Sequence, residues 1–426
     1  MNRNLEPRHS RLGIGGWALY DWANSAFGTV ITTFVFAPYF IAEIAPNATR
    51  GTVLWGQASG TVALTVALLG PFLGAVCDEI GPRKPWIMAF TGLCAAGASL
   101  LIFSEPSSAV LVMTLVFFVL AAIGSDMALV FYNAMLPHLA PRGYFGRLSG
   151  WGWALGYIGG MASLGATLAL PALVAPFDPD GEAFLEIRAA GPMIGVWYLL
   201  FALPLFVFTP DVPRKKVKIA DAVARGGRRL ANTIMNLRRY NAILRFLLVF
   251  LFVSNGLVTI FTFAGVYAAG TFGMTIEQIT LFGLVLNIAA GAGAFAFSWV
   301  DDWLGPKRTL LFSLLALTGT GLVLVTTSST AVFVAVGLVM SIFIGPAQSA
   351  CRSYMARIVP RDMVAEMFGF YALSGKMTAF FGPLLLAWVT SVFQSQRAGM
   401  ASILVFFIAG LWALRGVRDP VSRQTL

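Results

Sequence analysis

The sequence is short of almost everything that soluble catalysis uses. Only 11% of its 426 residues are charged, and it contains 2 histidines, whereas soluble domains are roughly a quarter charged. Its 3 cysteines, Cys77, Cys94 and Cys351, lie in or beside apolar runs and form no Cys-x-x-Cys or Cys/His grouping. Neither a disulfide framework nor a zinc site is supported. There is no Gly-x4-Gly-Lys-Ser/Thr loop, which excludes ATP drive within this chain. Acids, histidines and nucleophiles nowhere cluster as an enzyme would need. The expectation is a non-enzyme with no cofactor and no bound metal. A net charge of +10 does not point to nucleic acid, because the bases punctuate apolar segments instead of covering one polar face.

What is abundant is apolar. Hydrophobic residues make up 58% of the chain and the mean hydropathy is +0.79, which places it in lipid. A helix crossing about 30 Å of hydrocarbon needs about 20 mainly apolar residues. Twelve such runs can be marked, at 17–42, 53–77, 86–104, 108–134, 148–170, 192–209, 243–269, 277–300, 308–327, 331–356, 366–392 and 398–416. Backbone groups in lipid must be satisfied internally, so these are predicted helices. The alternation of a membrane β-barrel is absent. The predicted fold is an all-α membrane protein with twelve transmembrane helices in two pseudo-symmetric halves. Residues 1–209 and 241–426 supply six each, joined by a basic linker at 210–240.

Lysine and arginine set the orientation. Arg3, Arg8, Arg11, Arg83, Arg147, Lys307, Arg357, Arg415 and Arg423 fall on one side, with the linker's arginines and lysines. Only Arg50, Arg188 and Arg397 fall on the other. Both termini are therefore expected in the cytoplasm. The basic N-terminus runs into an apolar span without a small-residue cleavage site, so it reads as a retained first helix. Within the linker, 219–239 is either an amphipathic helix on an anionic leaflet or a solvated connector. The main outside loop, around 171–191, carries Asp178, Asp180, Glu182 and Glu186. Short loops suggest a bacterial inner membrane, and a monomer is the default.

One motif occurs twice. Gly74-x3-Asp78-x2-Gly81-x-Arg83 is echoed in register by Ser298-x3-Asp302-x2-Gly305-x-Lys307. Each copy follows the second apolar run of its half, so the pattern implies an internal duplication. Small residues there allow close helix approach, and the second glycine allows a sharp turn. Departures at Ser298 and Lys307 predict a weaker second copy.

Several polar residues interrupt the apolar runs, and each has two readings. Asp21, Asn24, Ser25 and Gly28 share one helix face. Asp21 either binds a substrate amine or a proton, or pairs with a base near the cytoplasmic mouth. Asp126, deeper in its span, is either a proton carrier or the inner partner of Arg83. Arg352 and Lys376 suit a carboxylate or phosphate, or else form structural ion pairs with Glu366 or Asp21. Arg147 and Glu366 begin the fifth and eleventh spans and are candidates for closing-side ion pairs. Gly150, Gly152, Gly156, Gly159 and Gly160 form a small-residue packing face.

Two six-helix halves with that repeated motif resemble the major facilitator superfamily, and Gly74, Asp78, Gly81 and Arg83 match its loop signature residue by residue. A narrower resemblance begins at Tyr20-Asp21-Trp22-Ala23-Asn24-Ser25-Ala26-Phe27 and continues through Ile31–Phe36 and Pro38-Tyr39-Phe40. It extends to Tyr132-Asn133-Ala134, Ser149-Gly150-Trp151-Gly152, Gln348-Ser349, Arg352-Ser353, Phe368–Tyr371 and Ser374-Gly375-Lys376. These stretches are similar to the branch containing the yeast vacuolar amino-acid effluxers and their bacterial relatives. The resemblance implies a secondary transporter working by alternating access, with the motif residues Gly74, Asp78, Gly81, Arg83, Asp302, Gly305 and Lys307 forming the cytoplasmic gate, the acids and bases latching it and the glycines allowing the turn. It favours a small solute such as an amino acid, with export the expected direction; the energy source is an ion gradient or the solute gradient itself, with Asp126 the candidate carrier if protons are coupled. Asp21, Asn24, Asp126, Asn133, Arg352 and Lys376 are the candidates for substrate or proton binding. A lipid or drug exporter is the alternative, since 35 phenylalanines and 15 methionines can line an apolar cavity. A membrane receptor without transport is the remote one.

Overall fold

The protein is described by a computed structural model over residues 11–420, apart from 179 and 182. Arg3, Arg8, Glu182 and Arg423 lie outside these residues. Twelve long helices follow in order: α1 Arg11–Ile44, α2 Ala48–Ile80, α3 Lys84–Phe103, α4 Ser108–Leu139, α5 Phe145–Thr167 and α6 Leu185–Phe208 come before the linker. After it come α7 Leu237–Phe272, α8 Ile276–Leu304, α9 Pro306–Thr326, α10 Thr330–Ile358, α11 Val364–Phe393 and α12 Gln396–Arg415. Each predicted run lies on one of them. Eleven are long and apolar enough to cross a membrane. The exception is α5, whose 23 residues include Gly146, Gly150, Gly152, Gly156, Gly159, Gly160 and Gly165. Those glycines lower its hydropathy because α5 is packed on two sides, against α1 and against α8.

Local chemistry fixes the ends and bends. Asn47 caps α2 by accepting from Arg50 N at 2.9 Å. Thr275 and Gln278 form a capping box that starts α8, a reciprocal pairing that satisfies two orphan N–H groups. Gly81 and Gly305, the paired motif glycines, end α2 and α8 with φ of 112° and 88°. A side chain is strained there, so the turn requires glycine. Helix α1 widens into a π-helix over Phe27–Phe34, where the β-branched run Thr29-Val30-Ile31-Thr32-Thr33 disfavours regular α packing. In α11, regular helix stops at Lys376 and resumes at Phe381. Pro383 lacks an N–H and crowds the carbonyl four residues earlier, which accounts for the interruption.

Apolar side chains such as Trp17, Phe36 and Phe407 fill the interior, but apolar side chains also cover the outside. Leu68, Leu200, Leu384 and Trp412 are exposed, whereas Asp21, Asp78, Asp301, Arg352 and Glu366 are buried. Polar groups face the bundle interior and apolar ones face the bilayer, as lipid demands. The first and last six helices meet through two matching pairs, α2 on α11 and α5 on α8. Gly74 sits so close to α11 that a Cβ would lie 2.3 Å from Ala365 O, and a Cβ on Gly369 would lie 2.4 Å from Gly70. On the other pair, a Cβ on Gly150 would lie 2.4 Å from the Ser298 side chain. The second copy of the motif tolerates serine because the facing glycine leaves it room.

The linker forms a helix at Ile219–Met235. It docks on α2 through buried Ala222 and Gly226 and so is not a free connector. The described chain ends lie on the same face as this helix, called the linker face below: Thr209 donates to Gly13 O and Lys307 Nζ to Val417 O.

Candidate functional site

Polar side chains between the halves form three layers running inward from the linker face. In the outermost, each motif aspartate caps the opposing half's fifth helix. Asp78 accepts from the backbone of Ala365 at 3.1 Å and Glu366 at 2.9 Å. Asp302 accepts from Gly146 at 2.7 Å and Arg147 at 3.1 Å. First-turn N–H groups have no partner inside a helix and carry its positive dipole end, so a carboxylate is favoured there. The arrangement is reciprocal and follows the duplication.

The bases around the two aspartates differ. Arg83 lies 3.1 Å from Asp78 and also donates to Gly81 O at 2.7 Å. Lys307 does not meet Asp302; its amine is taken by Val417 O at 2.6 Å. Asp302 instead holds Arg147 Nε at 2.8 Å and Arg357 Nη2 at 3.0 Å, and Arg357 Nη1 is 2.5 Å from Asp301. The second copy is therefore the more heavily paired, contrary to the expectation drawn from Ser298 and Lys307. A lysine amine reaches a carbonyl where an arginine fork would have to find two acceptors. Asp211 closes the first copy by accepting from Arg83 N and Lys84 N at 3.0 and 2.8 Å. Its role was hidden in the sequence because it lies far along the chain, past α6.

Arg147 and Glu366 do not pair with each other. Arg147 goes to Asp302, and Glu366 meets Arg229 of the linker helix at 3.1 Å. Arg229 also reaches Glu79 at 3.2 Å and Asp362 at 3.4 Å, with a further contact to the Asp362 carbonyl. One linker arginine thus touches acids from both halves.

The middle layer is one buried strut. Arg352 Nη1 donates to Asp21 at 2.8 Å and to Asn133 at 3.3 Å, Nε donates to Ser149 Oγ at 2.9 Å, and Nη2 donates to Ser149 O at 2.7 Å. Tyr132 donates to Asp21 at 3.0 Å, and the guanidinium sits 5.2 Å from the Trp17 ring centroid. Of the open readings, Arg352 takes the ion pair with Asp21, not with Glu366. All three of its nitrogens are engaged, through four of the five N–H donors of a guanidinium. A Cβ on Gly152 would lie 2.4 Å from Asp21 Oδ2, so this glycine keeps the space the pair needs.

The inner layer differs in character. Asp126, midway along α4, pairs with Lys376 at 2.7 Å and is not the partner of Arg83. Lys376 in turn pairs with neither Glu366 nor Asp21. Their side chains are 19% and 42% exposed, against 11% and 4% for Asp21 and Arg352. They open on a cavity of about 250 Å³ whose other polar walls are Asn24, Ser25, Thr32, Ser59 and Ser125. Asn24 donates to Ser125 Oγ at 3.0 Å and Tyr198 at 2.6 Å. Tyr20, buried beside it, bonds Thr91 and Tyr198. Both helix irregularities border this cavity: Phe27, Gly28 and Thr32 lie in the π-helix, and Lys376 stands at the α11 break. Irregular backbone at membrane depth is tolerated only where it is buried in protein or lines a cavity. Neither irregularity was read from sequence, although Gly382-Pro383 was the available signal for the second.

Two six-helix halves packed through α2–α11 and α5–α8, with reciprocal motif caps and a polar cavity between them, are the architecture of a secondary transporter of the major facilitator superfamily. The fold agrees with solved members. The human organic anion transporter MFSD10 (TETRAN) superposes with a TM-score of 0.74 at 15% identity, over 96% of this chain and 100% of that one. FucP, a superfamily transporter solved in the outward conformation, gives 0.74 at 13% identity, over 95% and 97%. Residues 57–425 match the family model described as vacuole effluxer Atg22 like, and the chain belongs to that family. An uncharacterized MFS-type transporter, YxiO of Bacillus subtilis (strain 168), is 28% identical over 413 residues, 95% of each chain. Autophagy-related protein 22 of Coccidioides immitis (strain RS) is 24% identical over 307 residues. That match covers 64% of this chain and 49% of the fungal protein, so this chain spans about half the length of its fungal relative.

Proposed function

We propose that the transporter carries a small zwitterion, such as an amino acid, and exports it from the cytoplasm, with the linker face as the cytoplasmic one. The observation that carries the reading is the Asp126–Lys376 pair, joined by a single bond and open to a polar cavity. A solute carboxylate can take Lys376 while its ammonium takes Asp126, so both charges stay compensated as the pair separates. A proton on Asp126 has the same electrostatic effect as an ammonium beside it, which offers a route to coupling with a proton gradient. The cavity, about 250 Å³, is below the roughly 300–1,000 Å³ of pockets for drug-sized ligands. The lysine- and arginine-rich linker face fits a cytoplasmic surface. Export is drawn from the effluxer description of the family.

The test is a thermal-shift comparison on purified protein of free leucine, N-acetyl-leucine and leucine methyl ester, since a ligand stabilises the state it binds. Stabilisation by the free amino acid alone supports the zwitterion site. Equal stabilisation by the blocked compounds rejects it. A second reading, export of an apolar amphiphile, has one observation in its favour. A separate cavity of about 350 Å³ is lined by Phe34, Ile260, Phe261, Phe282, Leu324 and Phe407 among others. Stabilisation by lysophospholipid and by no amino acid favours that reading.

A further inference from the structure

The linker helix carries a charged site that the pathway between the halves does not use. Its face toward α2 is stripped to Ala222 and Gly226, and a Cβ on Gly226 would lie 2.9 Å from Val76 N. The next turn delivers Arg229 to Glu79, Glu366 and Asp362. Beside that contact opens a cavity of about 480 Å³ lined by Arg225, Arg228, Arg229 and Arg239, with Asp362 as its acid. Among the described residues, Arg225, Arg228 and Arg239 form no ion pair, the carboxylates nearby being held by Arg229. Three uncompensated guanidiniums therefore face one space. On another side of the same helix, Ile219, Val223, Ile234 and Met235 are exposed although apolar. At about 3.6 residues per turn Ile219, Val223 and Ile234 lie roughly opposite Arg225 and Arg228, so the helix has separate apolar and basic sides, as helices at a lipid headgroup boundary do.

We propose that this arginine-lined cavity binds a phosphate-bearing anion, an anionic lipid headgroup or a free phosphomonoester. Guanidinium forks match phosphate oxygens two at a time. Because Arg229 belongs to the cavity wall and to the contact with Glu79 and Glu366, the anion competes with those carboxylates for it. Occupancy and the α2–α11 contact are thus linked, and each must weaken the other by the same factor.

Full-length protein in neutral detergent can be titrated with short-chain phosphatidylglycerol, short-chain phosphatidylcholine and glycerol 3-phosphate, with the shift in Tm as readout. The proposal expects saturable stabilisation by phosphatidylglycerol and none by phosphatidylcholine. The combined Arg225→Gln, Arg228→Gln, Arg239→Gln variant should bind at least about tenfold more weakly, because charge-assisted bonds are roughly twice as strong as neutral ones. If that variant does not fold, Arg228→Gln alone, an exposed position, should weaken binding severalfold. An undiminished response in the variants overturns the site. Equal potency of glycerol 3-phosphate keeps the anion but rejects the lipid as its source. Glu79→Gln removes a competitor for Arg229 and should tighten binding severalfold; unchanged affinity refutes the competition.

Discussion

Neutralising Asp78 tests the reciprocal caps. In Asp78→Asn the side chain keeps its size but meets the N–H groups of Ala365 and Glu366 without its charge. Hydrogen bonds to charged groups contribute about 1.5–3 kcal/mol and neutral ones about 0.5–1.5 kcal/mol. The two N–H groups use different oxygens of Asp78, and the asparagine side chain has only one to accept with, so one charged bond is lost, about 2 kcal/mol or roughly a 30-fold shift toward separation of α2 and α11. The two amides have no partner within α11 itself, so hydrogen exchange reads their release directly. The peptide containing Ala365 and Glu366 should exchange about 30-fold faster in the variant. Helix pairs α2–α11 and α5–α8 join the same two bodies, so the peptide containing Gly146 and Arg147 should accelerate as well. Acceleration at α11 with no change at α5 would show local fraying and would refute coupled caps. Unchanged exchange at both would refute the cap itself.

Other consequences follow from the same geometry. Gly74→Leu should hold the linker face apart, because even a Cβ would lie 2.3 Å from Ala365 O; faster exchange at Ala365 and Glu366, as in the Asp78 variant, checks this. Asp21→Asn strands Arg352 in the interior, where breaking one side of a buried pair costs about 3–5 kcal/mol. Its Tm should fall by several degrees, and Asp21→Asn combined with Arg352→Met should recover part of the loss. Lys307→Met removes one bond to Val417 O and should cost only about 1 kcal/mol. Arg357→Met, which leaves Asp301 buried without its arginine, should be the more damaging in a thermal melt. In proteoliposomes, Asp126→Asn should abolish flux driven by a pH gradient if Asp126 carries the proton, and flux that keeps its pH dependence would assign the coupling elsewhere.

Much of this architecture was legible in the residues. Long apolar runs must be helices in lipid, and all twelve were found to within a few residues. The repeated motif located both inter-half contacts, because Gly74 and Ser298 mark the closest approach and Asp78 and Asp302 are its caps. Partner choice was not legible. Asp126 meets Lys376, Glu366 meets Arg229 and Lys307 meets a carbonyl, since pairing between halves depends on helix rotation and depth that no local pattern encodes. The same holds for Asp211, whose backbone partners Arg83 and Lys84 lie more than a hundred residues earlier. The irregular stretches in α1 and α11 were hidden because hydropathy is blind to backbone hydrogen bonding.

Passage of a zwitterion between the halves at the Asp126–Lys376 pair is read by counterflow of radiolabelled leucine and lysine in proteoliposomes of the wild-type protein and of Lys376→Met, with a lysophospholipid as the competing solute. The wild type should exchange at least one amino acid, Lys376→Met should lose that exchange while keeping its fold, and the lysophospholipid should not move. Transport of the lysophospholipid alone, or amino-acid exchange undiminished in Lys376→Met, would contradict this route.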